Sequence, residues 1–142
     1  MNTEQNNETA KQFVFEGESL KMITGAELKG DISFPSTVNG KTIVIIPDLM
    51  MAIRSKVRPT SIRIPDSVRV IGRNAFKDLL SLRAVCIPDS LERIEDGALS
   101  GCKALEAITI PKSVSYIGRE FAKVKDNHIN KYHDYIMEIR IN

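Results

Sequence analysis

Apolar and polar residues alternate with a period of two in several short stretches of the chain. In one of them Val85 and Ile87 fall on one side of an extended backbone, whereas Ala84 and Cys86 fall on the other. Such alternation is typical of a strand with one face in a core. Pro88 follows, and since proline has no N–H to donate to a ladder, the strand is expected to end there. The pattern therefore predicts short strands that stop at proline corners.

The same apolar phrase returns along the chain at a fixed distance. It reads Ile-Pro-x-Ser-Val or Ile-Pro-x-Ser-Leu, and its prolines are 23 residues apart both times, at Pro65, Pro88 and Pro111. A second apolar column keeps the same spacing and consists of Ile71, Ile94 and Ile117. Many apolar positions held at one such period predict a solenoid, in which stacked coils bury an apolar side that a single coil cannot bury.

Each coil is expected to hold a strand, a proline corner, a second short strand and one or two helical turns. In the first full repeat the second strand covers residues 67–71, and the helical turns are expected over residues 73–79. The longest helix is expected over residues 48–56, with Asp48 as its N-cap and Pro59 beyond its end.

The repeats predict a single domain with atypical ends. Regular 23-residue repeats span residues 61–118, and residues 13–142 form the whole domain. Residues 13–60 are interpreted as an N-terminal cap with a degenerate repeat, and residues 119–142 as a C-terminal cap, because terminal coils must cover an otherwise open core. Residues 1–12 are polar and are expected to form a disordered tail.

Weaker copies of the pattern flank the regular repeats. Residues 34–38 resemble the proline phrase at a displacement of 30 residues, and residues 139–141 resemble residues 108–110 at a displacement of 31. Asn39 and Gly40 follow the first of these copies and predict a tight hairpin turn, because both residues tolerate a positive φ.

The composition is that of a globular protein. The chain has 142 residues, of which 42% are hydrophobic and 27% charged, and its net charge is +2. This balance gives no reason to expect a polyanionic partner. The N-terminus lacks the basic start and apolar core of a secretory signal, which favours a cytoplasmic location. No segment approaches the roughly 18 apolar residues that a membrane span requires, so no membrane insertion is expected.

Residues 61–118 resemble the BspA-type leucine-rich repeat, also called the Treponema pallidum type. The resemblance rests on the Ile-Pro-x-Ser-Val phrase, on the Ile-Gly and Ala-Phe pairs that follow it, and on Cys102 and Leu105 before the next strand. It implies an α/β repeat: a short right-handed leucine-rich-repeat solenoid with a parallel β-sheet on the concave face and short helical turns on the other side. Members are typically bacterial or protist proteins, often on the cell surface, that bind other proteins and mediate adhesion. The resemblance therefore favours a cell-surface or secreted location.

Residues that could carry catalysis or hold a metal are few. His128 and His133 are five residues apart, which matches no common zinc spacing and places them off a shared helical face. Cys102 falls in an inward column and Cys86 in an outward one, so no intrachain disulfide is expected. We therefore predict no catalytic residue, no metal site and no cofactor, and interpret the chain as a protein that is not an enzyme.

Charged residues are distributed unevenly between the repeats. Residues 51–85 carry eight basic and two acidic side chains, whereas residues 86–110 carry five acidic and two basic ones. On the 23-residue register the expected neighbours are Arg69 with Glu92, Arg73 with Asp96 and Arg83 with Glu106. Most of the arginines are thus expected to have partners, and no aromatic residues interleave with them, so nucleic acid is not expected to bind.

The outward positions of the predicted strands give the candidate binding surface. They are Ser61, Arg63, Ala84, Cys86, Ala107 and Thr109. Solenoids use such extended surfaces for recognition, so the leading hypothesis is a module that binds a protein partner. The alternative is a structural or assembly role, in which terminal coils stack end to end and give weak self-association.

Overall fold

The computed structural model describes residues 8–126, 131–134 and 138–141. Helix is scarce there, being limited to one turn at residues 8–10 and a 3₁₀ helix at Met51–Ile53. The strands are β1 (Phe13–Glu16), β2 (Ser19–Met22), β3 (Leu28–Ser33), β4 (Thr37–Val38), β5 (Lys41–Thr42), β6 (Ile45–Ile46), β7 (Val57–Arg63), β8 (Val70–Ile71), β9 (Ala84–Cys86), β10 (Arg93–Ile94), β11 (Ala107–Ile110), β12 (Tyr116–Ile117), β13 (Lys123–Asp126), β14 (Lys131–Asp134) and β15 (Glu138–Ile141).

Two sets of parallel strands run along the molecule. The first strand of each coil forms one set, in which β3, β7 and β9 pair in that order and β11 pairs with β15. The second set is a four-stranded sheet in the order β12, β10, β8, β6. The register places Ile62 opposite Val85 and Ile71 opposite Ile94, a displacement of 23 residues in both cases. The chain is therefore a parallel β-solenoid of about four turns, as the repeat predicts.

The strand that precedes the N-terminal copy (residues 34–38) and the C-terminal copy itself (residues 139–141) pair within the first set of strands at the expected displacements. Ile32 of β3 pairs with Ile62 at the 30-residue displacement, after a register shift between Gly30 and Asp31. At the other end, Ile108 of β11 pairs with Ile139 of β15 at the 31-residue displacement. The longer connections absorb the additional residues between these strands.

Each repeated proline turns the chain out of its first strand. The carbonyl groups of Pro65, Pro88 and Pro111 accept hydrogen bonds from the N–H groups three residues later, at N···O distances of 3.1, 3.1 and 3.2 Å. This bond closes a β-turn, a geometry in which proline needs no N–H of its own. The predicted proline corners are confirmed, and each leads into a strand of the second sheet.

The core is a column of apolar side chains, most of them aliphatic, between the two sheets. Fully buried members in two successive coils are Val68, Ile71, Phe76 and Leu82, followed by Leu91, Ile94, Leu99 and Leu105. Aromatic rings link the N-terminal hairpin to the first coils, since the ring of Phe34 lies 5.2 Å from that of Phe13 and 6.0 Å from that of Phe76, centroid to centroid.

The helical turns expected over residues 73–79 do not form. Asn74 and Asp78 have positive φ angles of 58° and 61°, which end any right-handed helix. The N–H groups of Asn74, Phe76 and Asp78 instead donate across to the carbonyl groups of the next coil, at Asp96, Ala98 and Ser100. The turn side is thus a third hydrogen-bonded ladder between coils, and it includes the left-handed residues Asn74 and Asp78.

The helix expected over residues 48–56 is also wrong. Only Met51–Ile53 is helical, with 3₁₀ geometry, because Met50 takes a left-handed conformation with φ 54°. Asp48 is not its N-cap: Met50 precedes the 3₁₀ helix, which has no side-chain cap hydrogen bond, and Asp48 Oδ1 instead accepts a hydrogen bond from the Met50 N–H at 2.9 Å. The bond closes an Asx turn two residues long, which competes with an α-helical start.

Antiparallel hairpins flank the coils. β1 pairs with β2 before the first coil, and β13 pairs with β14 after the last strand of the second sheet. A third hairpin joins β4 to β5 through Asn39 and Gly40, whose φ angles are 51° and 79°, so the predicted tight turn is confirmed. Whether the terminal hairpins act as end caps stays a prediction.

Part of the polar segment predicted as a tail lies against the domain. The Gln12 side chain accepts a hydrogen bond from the Glu27 N–H at 2.8 Å, and Thr9 is buried. Residues 1–7 lie outside the described residues, so the predicted extent of the tail stays a prediction.

Candidate interaction surface

The six residues predicted as a binding surface lie on one face of the first strand set. Their backbones alternate with the buried side chains of Ile62, Val85 and Ile108, so their own side chains point away from the core. The pairing places Ser61 beside Ala84 and Arg63 beside Cys86. Five of the six are exposed and Ser61 is half-buried; the exposed ones are Arg63, Ala84, Cys86, Ala107 and Thr109. We call this the sheet face.

Strand β3 extends the sheet face by two residues that the sequence analysis missed. Asp31 pairs with Ser61, and Ser33 pairs with Arg63. The Ser61 hydroxyl donates to Asp31 Oδ1 at 2.7 Å, which ties the two strands together. Both residues could have been found, because subtracting the 30-residue displacement from positions 61 and 63 gives 31 and 33.

Small side chains form the centre of the sheet face. Ala84 and Ala107 occupy neighbouring coils, so a partner backbone can approach the sheet closely there. At the ends of β3, β7 and β9 the face opens into a groove of about 380 Å³, lined by Ser33, Phe34, Arg63, Ile64, Pro65, Asp66, Cys86, Ile87 and Pro88. Arg63 lines this groove and has no ion-pair partner among the described residues.

The two cysteines have different environments, as predicted. Cys86 is exposed on the sheet face, whereas Cys102 is 2% exposed and its Sγ lies 3.0 Å from the Phe76 carbonyl oxygen. Burial raises the pKa of the Cys102 thiol to about 12. Both thiols are free. Cys102 therefore serves as a small buried apolar group.

Only one of the three expected ion pairs between coils forms in the described part of the chain. Arg73 Nη2 lies 4.0 Å from Asp96 Oδ2. Arg69 instead donates from Nη1 to the Ser90 carbonyl at 3.4 Å. No ion pair joins Arg83 to Glu106. Successive coils thus leave much of the basic charge of residues 51–85 without a carboxylate partner.

An arginine and a tyrosine stack on the outer side of the second sheet. The guanidinium carbon of Arg93 lies 4.1 Å from the centroid of the Tyr116 ring, and Arg93 Nε donates to Glu95 Oε1 at 3.0 Å. This hydrogen bond raises the pKa of Arg93. The contact links the coils that contain β10 and β12. The repeat did not predict it, because positions 93 and 116 occupy the same column but carry different residue types.

The described residues hold no cluster of three or more His, Cys, Asp or Glu side chains that could bind a metal ion. They also include no helix long and apolar enough to cross a membrane. The prediction for His128 lies outside the described residues, and for His133 only the backbone, in β14, is described.

Comparison with solved structures supports the fold. A leucine-rich repeat protein from Bacteroides capillosus superposes with a TM-score of 0.64 and 23% identity, over 93% of this chain and 95% of that one. The Treponema pallidum leucine-rich repeat protein gives 0.52 and 20%, over 80% and 67% of the two chains. A leucine-rich repeat protein from Bacteroides ovatus gives 0.54 and 24%, and this chain covers 39% of it. No curated protein matches in sequence.

The family model described as "BspA type Leucine rich repeat region" matches residues 51–138 in six copies. This match covers more than half of the chain and includes all the regular repeats. The chain belongs to the BspA-type leucine-rich repeat family.

Proposed function

We propose that this chain is a non-enzymatic module that binds a protein partner through its sheet face. The observation that carries the proposal is the alignment of outward columns across β3, β7, β9 and β11, above a buried aliphatic layer. Because the backbone of such a face is already held in a sheet before binding, the module loses little conformational entropy when a partner binds. The family typically mediates protein interactions, which agrees with this role.

Two alanines in the centre of the face allow a direct test. In the variant Ala84→Arg with Ala107→Arg, two long charged side chains occupy exposed positions, so the fold should be retained while close approach is blocked. The matched control is Thr24→Arg with Thr42→Arg, which adds the same charge at exposed positions outside the sheet face.

The measurement is affinity capture from the native host with mass spectrometry, followed by titration of the recovered protein. We expect the control to retain the binding of the wild type and the alanine variant to lose it with an unchanged circular dichroism spectrum. Equal binding by both double variants would exclude the sheet face as the binding surface.

One observation favours the assembly role as a second candidate. Ile117 stands in the same inward column as Ile71 and Ile94, which are at most 1% exposed, yet it is 38% exposed itself. The neighbouring Tyr116 is also 38% exposed. An apolar edge at the last strand of the second sheet can be covered by a second copy of the chain. Sedimentation velocity over a range of protein concentrations tests this role, and a strict monomer would exclude it.

A further inference from the structure

A small apolar crevice lies on another part of the surface, between two successive coils. It has a volume of about 280 Å³ and is lined by Ala52, Val57, Arg58, Pro59, Asp78, Leu79, Leu80 and Ser81. Its floor is apolar, since Val57, Pro59 and Leu79 are buried. None of the six predicted sheet-face residues lines it, so it is a separate candidate surface.

One unusually exposed aliphatic side chain lines this crevice, and a second one directly follows a lining residue in sequence. Leu80 lines it and is 62% exposed, and Ile53, which follows the lining residue Ala52, is 75% exposed. These are the most exposed large hydrophobic residues of the described part of the chain. Exposed aliphatic groups beside an apolar depression are typical of a place where a partner side chain inserts.

The crevice lining includes one basic and one acidic side chain, and two lysines adjacent to lining residues in sequence add positive charge. Arg58 lines it, and the exposed Lys56 and Lys77 each adjoin a lining residue in sequence. The acidic side chain among these positions is that of Asp78. Neither lysine has an ion-pair partner among the residues that the structure describes. These cations belong to the basic segment 51–85, whose expected pairing with the next repeat is largely absent.

The guanidinium of Arg58 is already held in place. Its Nη1 donates to the carbonyl groups of Arg54 and Val57, at 2.9 and 2.8 Å. Its remaining N–H groups can therefore meet a carboxylate with little loss of side-chain freedom. A fixed arginine beside an apolar depression favours a ligand that combines a carboxylate with an apolar group.

We propose that the crevice docks a segment of a partner protein in which a large apolar side chain is flanked by Asp or Glu. The apolar side chain fills the depression and covers Leu80 and Ile53, while the flanking carboxylates meet Arg58, Lys56 and Lys77. The apolar contact supplies most of the affinity, and the charges supply orientation and association rate.

A phage-displayed library of random twelve-residue peptides, selected on the immobilised full chain, tests this proposal. The expected consensus holds one large apolar residue with Asp or Glu close to it. The selected peptide is then synthesised with a fluorophore, and its affinity is measured by fluorescence polarisation at low and high salt. Binding should weaken as salt rises, because the flanking charges are screened.

Three variants locate the binding. Leu80→Asp, and separately Lys56→Glu with Lys77→Glu, should each lower the affinity at least about tenfold, equivalent to about 1.4 kcal/mol. All these positions are exposed, so the fold should persist, and circular dichroism checks it. Lys103→Glu with Lys112→Glu changes the net charge equally at exposed sites that do not line the crevice, and should bind as the wild type does.

Several results would overturn the proposal. A consensus without acidic residues, or affinities that the crevice variants leave unchanged, would exclude it. If Lys103→Glu with Lys112→Glu lowers the affinity for the peptide as much as the crevice variants do, the loss reflects net charge and not contact with the crevice. Binding to phosphatidylglycerol vesicles that Leu80→Asp abolishes, in the absence of any selected peptide, would assign the crevice to a membrane surface instead. A dimer that the same substitution dissociates would assign it to a second copy of the chain.

Discussion

Gly101 packs against Asp78 of the preceding coil so closely that no side chain fits between them. A β-carbon at position 101 would overlap the Asp78 carboxylate and lie 3.1 Å from the Asp78 Cα. Both residues have left-handed backbones, with φ angles of 81° and 61°. The Asp78 N–H donates to the Ser100 carbonyl at 2.7 Å. The close contact thus belongs to the ladder that joins the coils on the turn side.

Gly101→Ala should be strongly destabilising. A left-handed alanine costs about 1–2 kcal/mol, and the overlap with Asp78 adds about 1–3 kcal/mol of overpacking. We expect the free energy of unfolding to fall by about 3.5 kcal/mol, the middle of the summed range. Urea denaturation monitored by circular dichroism measures this loss.

Gly17→Ala is the matched control for that experiment. Gly17 has a similar φ of 61°, but a β-carbon there would have no neighbour within 4 Å. Only the backbone strain then applies, so the loss should stay at about 1–2 kcal/mol. Equal losses at positions 17 and 101 would show that the Asp78 contact does not constrain the turn ladder.

The strands of this fold follow from the sequence, whereas the turn side does not. Apolar columns such as that of Ile71 and Ile94 fix the strand register, because a shift of one residue would expose both side chains. Residues 73–79 were expected to be helical from their apolar pattern alone. The spacing of Asn74 and Asp78, repeated by Gly97 and Gly101, was the available signal, since all four have positive φ.

Cys102 should make the stability of the protein depend on alkaline pH. Its folded pKa of about 12 exceeds the value of 9.0 for a free thiol, so the folded state holds its proton where the unfolded state loses it. This contribution to stability is complete below pH 9 and is lost as pH rises towards 12. The loss between pH 9 and pH 10 should be about 1 kcal/mol.

Urea denaturation at several pH values, compared between the wild type and Cys102→Ala, isolates this effect. The variant should be less stable overall but should lack the additional alkaline decline. Cys86→Ala changes an exposed thiol and should keep the pH dependence of the wild type. If the stability of Cys102→Ala falls by the same amount at alkaline pH, groups other than the Cys102 thiol cause the loss.

Phe76 should be one of the most costly side chains to truncate. It is fully buried and its ring meets that of Phe34 edge-on at 72°. Phe76→Ala should lower the free energy of unfolding by about 3–5 kcal/mol, because it leaves a cavity between coils. Leu80→Ala, at a residue 62% exposed, should change it by less than about 0.5 kcal/mol. Thermal and urea denaturation measure both, and similar losses would contradict the core assignment.

The candidate surfaces differ in how far the sequence predicts them. The sheet face follows from alternation along β7, β9 and β11, so its residues could be placed before the structure was known. The crevice beside Leu80 could not, because it depends on how the 3₁₀ helix Met51–Ile53 approaches the next coil. Residues 48–56 were expected to form a longer helix, and that error hid the exposure of Ile53.

The same substitution should cost far more stability at Ile94 than at Ile117. They pair in adjacent strands, but Ile94 is fully buried and Ile117 is 38% exposed. Ile94→Lys places an ammonium group in the aliphatic column, and we expect a loss of more than about 4 kcal/mol or complete unfolding. Ile117→Lys can direct its ammonium group to solvent, so the loss should stay below about 1 kcal/mol.

The variants at Ile94 and Ile117 also distinguish an effect on folding from an effect on self-association. If a second copy covers the last strand, Ile117→Lys should abolish the concentration dependence of the sedimentation coefficient while the urea midpoint stays nearly constant. Tyr116→Ser, at the neighbouring exposed position, should weaken association as well. Unfolding by Ile117→Lys comparable to that of Ile94→Lys would instead show that the column is closed at this end, since a lysine there would then be buried in the same apolar surroundings.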